Sequence, residues 1–333
     1  MLTLSTYAAE WLLTVAGRLK ASTIGFYEDN LKHHVLPLLG SRPIDSIKRG
    51  DCISLITALR GKGLKIRTIR GVVRTLSTML TQATDEGKLD SNPALNLRNY
   101  LKRGDEAEAE IDPFNAVDAE YFADTAREHF PRWYPFVLCG LRTGMRLGEL
   151  LGLEWGDIDW RNETIKVRRN WTRGALTTPK NHQRRTVRMS PKLRATLRLW
   201  RRQLRIQFLK EGLPRPEIVF PSEIGTRLDD SNVRKVFRAI CEKAELRHRS
   251  PHDMRHTFAT LSLLEGAQLA YVSKQLGHAD KAITLRVYTH WLPDTGTEQH
   301  EAARLDLLSE KVASSCKLAK KSEPPKPAGG RFS

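Results

Sequence analysis

The sequence predicts a mainly helical α+β protein built from two domains, and three observations support that prediction. Apolar residues recur at helical spacing through residues 1–100. An acidic segment without aromatic residues, KRGDEAEAEIDP, follows them. Beyond it, short strand-like stretches alternate with helical ones, so the second domain is predicted to combine helices with a small antiparallel sheet. A chain of 333 residues is long enough to bury two hydrophobic cores.

The N-terminal domain, residues 1–100, is predicted to be a bundle of four helices joined by short links. The predicted helices cover residues 5–12, 22–31, 45–59 and 66–83. On the fourth helix, Arg67, Arg70 and Arg74 fall at i, i+3 and i+7 and form a stripe along one face. Such a stripe suits binding to DNA phosphates, although a solvated helix face fits the spacing equally well.

Two segments of unusual composition set the predicted domain limits. Residues 101–113 are predicted to be an exposed linker, because they are mostly charged or small. Residues 313–333 are rich in proline, glycine and lysine, so we expect a basic, disordered tail. The second domain is therefore predicted to span residues 114–312.

The second domain is predicted to begin with two helices, near 117–128 and 135–141, and then a short helix with candidate site residues. Thr143 and Gly144 form a turn, and Arg146 and Glu149 follow it, three residues apart on one helix face. Backbone N–H groups at a helix start favour an anion, so Arg146 is well placed to bind one. Glu149 is placed to orient a neighbouring cation. An ordinary surface Arg–Glu pair is the alternative.

Three strand-like segments come next, at residues 157–160, 163–169 and 184–189. The loop between the last two places Lys180 near the tip of a hairpin, where a flexible ammonium can supply a proton to a phosphate oxygen. Spacing alone does not select Lys180 over Arg173 or Arg184. Residues 217–220 are predicted to form a further short strand, and residues 230–244 and 299–311 two helices.

The charge of the chain indicates a polyanionic partner. Lys and Arg number 55 against 38 acids, which gives a net charge of +17 and a pI of about 9.9. Residues 161–210 hold 16 Lys and Arg and one acid, Glu163, so most of the excess is concentrated there. Within this block Arg198, Arg201 and Arg205 again fall at i, i+3 and i+7, as a DNA-binding helix face would place them.

Composition also excludes several classes of protein. No apolar run approaches the ~20 residues of a membrane span, and the N-terminus has no signal-peptide pattern. The four cysteines lie far apart without CxxC spacing, which is typical of a reduced, cytoplasmic protein. We therefore expect a cytoplasmic protein that acts on nucleic acid rather than at a membrane.

The stretch from Pro251 to Tyr288 contains the side chains best suited to catalysis. His252 and Arg255 share a helix face, His278 follows the helix stop at Gly277, and Tyr288 lies ten residues further on. Arginine binds phosphate, histidine transfers protons and tyrosine can attack, so the set suits chemistry on a phosphodiester. Taken singly, each residue has an ordinary explanation: a solvated basic face, a helix-end histidine or a packing tyrosine.

Four motifs in this order resemble the tyrosine recombinases, and specifically the phage and genomic-island integrases. They are RTGMRLGELLGL, HDMRHTFAT, LGH and TLRVYTH, and the resemblance covers roughly residues 5–310. The resemblance implies a helical core-binding domain and a mixed catalytic domain that close around DNA as a C-shaped clamp. It also implies a homotetramer on double-stranded DNA in the bacterial nucleoid, with host bending or excisionase proteins as further partners.

The resemblance assigns a role to each motif residue. Arg146 and Arg255 would bind the scissile phosphate, and Glu149 occupies a position that is usually acidic in the family. Lys180, in TTPKNHQRRTV, would protonate the leaving 5′ oxygen. Tyr288 would be the nucleophile and form a 3′-phosphotyrosyl bond. Because that ester retains the bond energy, religation would need no cofactor.

The resemblance also implies that His252 and His278 assist proton transfer and hold the phosphate. With His256 they form a set of three imidazoles, which suggests zinc at first sight. No cysteine or acid lies at ligand spacing beside them, however, so no metal site is predicted.

Three alternative functions remain open, and one part of the family pattern has no counterpart here. The alternatives are a type IB topoisomerase, a resolvase of chromosome or plasmid dimers, and a non-catalytic DNA-binding protein on the same scaffold. The last would be expected to lack Tyr288 or one of the arginines. Many integrases carry a further N-terminal domain for accessory DNA sites, and the predicted core-binding helices begin too close to Met1 to accommodate it.

Overall fold

A computed structural model describes residues 1–101, 111–178, 184–277 and 281–288. Within these ranges the chain forms thirteen α-helices and five short strands. The mainly helical α+β class predicted from the sequence is therefore confirmed.

The N-terminal part contains five of these helices. They are α1 (Leu4–Ala16), α2 (Ala21–Asn30), α3 (Leu36–Leu39), α4 (Arg49–Gly61) and α5 (Ile66–Asp85). A π-helical turn, Leu31–Val35, joins α2 to α3, so the second predicted helix is longer than its apolar pattern indicated. The third is shorter, because Lys48 is extended and its N–H donates to the Asp51 carboxylate at 2.8 Å. Asp51 thereby starts α4 four residues later than predicted.

The second part contains the other helices and all five strands. The helices are α6 (Ala116–His129), α7 (Tyr134–Thr143), α8 (Leu147–Leu151), α9 (Pro191–Lys210), α10 (Asp230–Lys243), α11 (Asp253–Leu264), α12 (Leu269–Leu276) and α13 (Lys281–Tyr288). The strands are β1 (Ile158–Asp159), β2 (Thr164–Val167), β3 (Asn170–Thr172), β4 (Ala175–Thr177) and β5 (Arg185–Arg188). β1, β2 and β5 form one antiparallel sheet in that order, and β3 and β4 form a separate hairpin.

The predicted pairing of the strands at 163–169 and 184–189 is present, because β2 and β5 pair antiparallel. An additional hairpin that was not predicted, β3–β4, lies between them in the chain and turns at Arg173 and Gly174, which both have positive φ. Lys180 itself lies outside the described residues. The strand predicted at residues 217–220 is absent: Ile218 makes one isolated bridge to Glu154, and the backbone on either side bonds to Leu153 and Trp155 in the segment after α8. The predicted helix at 299–311 also lies outside the described residues.

The apolar side chains form two large buried clusters and a small one. The first contains the inner faces of α1–α5, and the second packs α6, α7, α9 and α10 against the three-stranded sheet. A small third cluster lies between α11, α12 and α13 and includes Tyr288. The two large clusters have no residue in common, as two domains would require. The domain limits stay a prediction, because part of the linker lies outside the described ranges.

The β3–β4 hairpin connects the two parts of the molecule. At its tip the Arg173 guanidinium donates to the Asp29 carboxylate of α2 at 3.1 Å.

Cys52, Cys139 and Cys241 are buried free thiols. None of the described helices is both long enough and apolar enough to span a bilayer.

Candidate active site

The corner between α7 and α8 positions the first site residues. Gly144 ends α7 in the left-handed conformation, at φ 61°, which turns the chain sharply toward α8. Arg146 caps α8, and Glu149 accepts from the Arg146 backbone N–H at 2.8 Å and from its Nη1 at 2.9 Å. The Glu149 side chain is fully buried, whereas about a fifth (22%) of the Arg146 side chain is exposed. Arg146 is therefore anchored on one side and accessible on the other.

A second guanidinium binds the same carboxylate. Arg185 of β5 donates its Nη1 and Nη2 to the two oxygens of Glu149, at 2.8 and 2.6 Å. Its Nε donates to the backbone oxygen of Gln275, near the end of α12, at 2.7 Å. Burial raises the pKa of Glu149, but the bonds and charge of Arg185, with the charge of Arg146, lower it to about 2. The carboxylate is thus ionised at neutral pH.

Arg255 of α11 lies in the interior beside this cluster. Its guanidinium donates to the backbone oxygen of Gly144 at 2.8 Å and to that of Leu276 at 2.7 Å. Only 3% of the residue is exposed. Burial and the positive charge of Arg146 lower the pKa of Arg255 to about 9, so it remains charged at neutral pH. Arg255 thereby fixes the ends of α7 and α12 to one point on α11.

Two imidazoles lie at the start of α11, one helical turn apart. His252 precedes α11, and His256 lies one turn further along, with ring centroids 4.9 Å apart. His256 Nδ1 and the Tyr288 hydroxyl are 2.8 Å apart, which is a hydrogen bond between α11 and α13. In the tautomer with its proton on Nε2, His256 Nδ1 accepts a hydrogen bond from the Tyr288 hydroxyl. The tyrosine is 1% exposed and packs in the small cluster of α11, α12 and α13.

Burial controls the protonation of this pair. It raises the pKa of Tyr288 to about 12, against an opposing effect of the Arg255 charge. Burial and the neighbouring His252 lower the pKa of His256 to about 4. Partial desolvation of its ring and the charge of Arg255 also lower the pKa of His252, although the residue keeps an exposed edge. At neutral pH both imidazoles are therefore neutral and the phenol is protonated.

The structure brings together five of the seven residues predicted for the site. Arg146, Glu149, His252, Arg255 and Tyr288 converge from α8, α11 and α13. Lys180 and His278 lie outside the described residues, so their placement stays a prediction.

Two residues of the cluster were missed from the sequence. His256 was considered only as a zinc ligand, although it follows His252 at i+4 and so lies on the same helix face. Arg185 lies inside a basic run, where charge alone does not distinguish it. Its one signal is that it shares a strand face with the buried Val187.

The arginine stripes predicted to bind DNA fall on helices, as expected, but their members differ in exposure. Arg67, Arg70 and Arg74 are exposed on α5, and Arg70 donates to the backbone oxygen of Leu101. On α9, Arg198 and Arg205 are exposed, although the Arg198 guanidinium also lies 5.6 Å from the Trp160 ring centroid.

The third member of the α9 stripe is packed against aromatic rings. Arg201 is half-buried, 5.5 Å from the Trp155 ring centroid and 5.9 Å from that of Trp160. Its Nε is buried without a hydrogen-bond partner. Arg201 thus contributes to packing between α9 and the segment after α8.

The residues described by the structure contain no group of three or more His, Cys, Asp or Glu arranged to hold a metal ion.

Two family models match the sequence. The model of the phage integrase family matches residues 120–294, and that of the phage integrase N-terminal SAM-like domain matches residues 3–60. Among curated proteins, a tyrosine recombinase XerC-like protein of Caldanaerobacter subterraneus is 29% identical over 90% of this chain and 82% of its own. The tyrosine recombinase XerC of Alcanivorax borkumensis is 30% identical over 82% of this chain and 84% of its own.

Solved structures show the same fold. The Tn1549 transposon integrase in complex with a circular intermediate DNA matches with a TM-score of 0.73 and 22% identity, covering 92% of this chain and 100% of that chain. A lambda integrase tetramer bound to a Holliday junction matches with a TM-score of 0.68 and 17% identity, covering 89% and 79%. The predicted fold class, with its clamp-like arrangement of two domains, is confirmed by these matches.

The low pKa of His256 predicts that acidification destabilises the fold. Its pKa is about 4 in the folded chain, against 6.5 for an unperturbed imidazole. Below pH 6.5 the unfolded chain therefore binds a proton that the folded chain does not, and the free energy of unfolding falls. From about pH 7 to about pH 5, this one group should lower it by about 1–2 kcal/mol.

Urea unfolding at the two pH values checks this expectation. His256→Gln removes the hydrogen bond at both pH values, so the informative quantity is the loss of stability between them, which should shrink in the variant. The same change at the exposed His129 controls for removal of an imidazole. An unchanged loss in His256→Gln would show that His256 is not the group that titrates.

Proposed function

The chain belongs to the phage integrase family, the tyrosine recombinases, and we propose that it recombines DNA at specific sites through a covalent bond to Tyr288. One observation supports the assignment most directly. The Tyr288 hydroxyl forms a hydrogen bond with His256 beside two arginines. Arg255 is buried, and Arg146 is anchored by Glu149. That combination supplies a nucleophile, a hydrogen-bond acceptor for its proton and a positively charged site for a phosphodiester.

The phosphate would bind between the two arginines. Arg146 has an exposed side, and Arg255 stays charged in the interior, where a charge acts more strongly than in water. Both would stabilise the negative charge that develops on the phosphate oxygens in the transition state. His252, exposed at the start of α11, would donate a hydrogen bond to the same phosphate.

Attack by the Tyr288 oxygen on phosphorus would break the bond to the 5′ oxygen and leave a 3′-phosphotyrosyl ester. Before DNA binds, the pKa values of about 12 for Tyr288 and about 4 for His256 keep the proton on the phenol. A bound phosphate raises the pKa of the neighbouring imidazole, so that His256 can accept the proton as the new bond forms. Lys180 would give a proton to the leaving oxygen, and His278 would hold the phosphate.

Cleavage would also require a movement of Tyr288. The residue is 1% exposed, so a DNA phosphate cannot reach its hydroxyl in the described conformation. We propose that DNA binding shifts α13, which ends at Tyr288 and packs on α11 and α12, far enough to expose the hydroxyl while His256 stays within hydrogen-bond reach of it.

The biological role we propose is integration and excision of a mobile element by a homotetramer assembled on double-stranded DNA in the bacterial cytoplasm. A lambda integrase tetramer on a Holliday junction has the same fold, which supports this assembly. Host bending or excisionase proteins would be its further partners. The likeness to XerC supports one second candidate, resolution of chromosome dimers.

Replacing the nucleophile tests the covalent step. Tyr288→Phe keeps the packed ring and removes the attacking oxygen, so the variant should bind DNA but form no protein–DNA adduct. A nicked substrate that traps the cleaved strand, run on a denaturing gel, measures the adduct. His256→Gln, which keeps the nucleophile, should form the adduct about 10²–10⁴-fold more slowly. An adduct in Tyr288→Phe would assign the nucleophile to another residue.

Sequencing of the DNA trapped on Tyr288 should distinguish the two biological roles. For a mobile-element recombinase, the trapped sites should lie at element ends and at the junction of its circular form. For a dimer resolvase, they should instead concentrate at one chromosomal position.

A salt titration tests the basic face of α9. If the exposed Arg198 and Arg205 each contact a phosphate, changing both to Gln should flatten the slope of log affinity against log salt by about 1.8. Arg201→Gln should leave the slope unchanged and lower stability instead, because Arg201 packs on Trp155 and Trp160. A slope that stays at the wild-type value in the double variant would place this face away from DNA.

A further inference from the structure

Glu149 is one carboxylate shared by two guanidiniums. Its Oε1 accepts from Arg146 Nη1 at 2.9 Å and from Arg185 Nη1 at 2.8 Å. Its Oε2 accepts from the Arg146 backbone N–H at 2.8 Å and from Arg185 Nη2 at 2.6 Å. Two positive charges therefore surround one negative charge, and the cluster retains a net positive charge.

The two arginines are not equivalent in this cluster. The Arg185 side chain is 6% exposed. All three nitrogens of its guanidinium donate hydrogen bonds within the protein, two to Glu149 and one to Gln275. The Arg146 side chain is 22% exposed and, among the described residues, makes one side-chain hydrogen bond, to Glu149. Arg146 is thus the member of the pair with capacity for a ligand, and Arg185 is the one committed to the protein.

The surroundings hold Arg185 in this position. Gly277 is left-handed, at φ 65°, and a β-carbon there would lie 2.7 Å from Arg185 Cδ. The end of α12 therefore approaches the side chain more closely than any residue but glycine allows. β5 pairs with β2 across its full length, which fixes the backbone of Arg185 from the other side.

We propose that Arg185 is a positioning residue that neutralises Glu149, so that Arg146 keeps its charge for the scissile phosphate. The inference rests on the proposed role of Arg146. Without Arg185, the buried carboxylate would have Arg146 as its main cationic partner, and that pair would have no net charge to attract an anion. With Arg185 present, Glu149 can orient Arg146 without cancelling its charge.

Charge balance provides a test that a purely structural role would not pass. Arg185→Gln leaves the cluster neutral, and Arg185→Gln with Glu149→Gln restores the net charge of the wild type. Cleavage of bound DNA should therefore slow by about 100-fold in the single variant and recover to within about tenfold of wild type in the double variant. DNA affinity should change by less than about threefold in both, because most phosphate contacts lie elsewhere.

The measurements are the single-turnover rate of covalent adduct formation on a nicked substrate, the Kd for the same DNA, and thermal unfolding. Arg127→Gln removes an arginine from an exposed ion pair with Asp124 and serves as the control, with an unchanged cleavage rate. A folded double variant that cleaves no faster than Arg185→Gln would overturn the proposal, since only packing would then explain the defect.

Two further outcomes keep the test decisive. If Arg185→Gln does not fold, the double variant and Arg185→Lys, which keeps the charge, should both fold and cleave within about tenfold of wild type. A defect of about 100-fold in both would overturn the proposal. A wrong assignment of the nucleophile would show in a different experiment, because the protein–DNA adduct would then still form in Tyr288→Phe.

Discussion

The site depends on the burial of one ionised carboxylate. Glu149 is fully enclosed, and a buried charge without partners costs several kcal/mol, so its oxygens must be satisfied by donors in fixed positions. Those donors come from the start of α8 and from β5, and β5 in turn bonds to the end of α12 through Arg185. Three elements that are distant along the chain are thereby held at one point. Arg146 is oriented as a consequence of this constraint, through its bonds to Glu149.

Arg255 provides a complementary constraint through backbone carbonyls. It donates to the last turn of α7, at Gly144, and to the last turn of α12, at Leu276. Both helices end in a left-handed glycine, and a β-carbon on Gly144 would lie 2.6 Å from the Phe258 ring. Glycine therefore allows each helix to stop and turn while its carbonyls face the same guanidinium. The glycines of the TGMR and LGH motifs have this physical explanation.

Sequence reasoning predicted the parts of the molecule with strong periodicity or dense motifs. α5 and α11 follow from apolar spacing, and Arg146, Arg255 and Tyr288 converge as their motifs indicated. The β3–β4 hairpin was missed because strands of three residues are too short to show alternation. Arg185 was missed for a different reason: its importance comes from Glu149, which is 36 residues away, and only a three-dimensional fold shows that contact. His256 was considered only for a zinc site, which was rejected, and its role was missed because its partner, Tyr288, lies 32 residues further on.

The burial of Tyr288 has a consequence for a protein that searches long DNA. A strongly basic surface binds any duplex and passes many phosphates before it meets its own site. With the hydroxyl enclosed in the α11–α13 cluster, those phosphates would not meet the proposed nucleophile during the search. Each 1.4 kcal/mol needed to release the ring lowers the reactive population about tenfold, so a modest opening cost would reduce cleavage at other sites. Enclosing the proposed nucleophile in a hydrophobic core would thus make fidelity a matter of conformational energy as well as of sequence recognition.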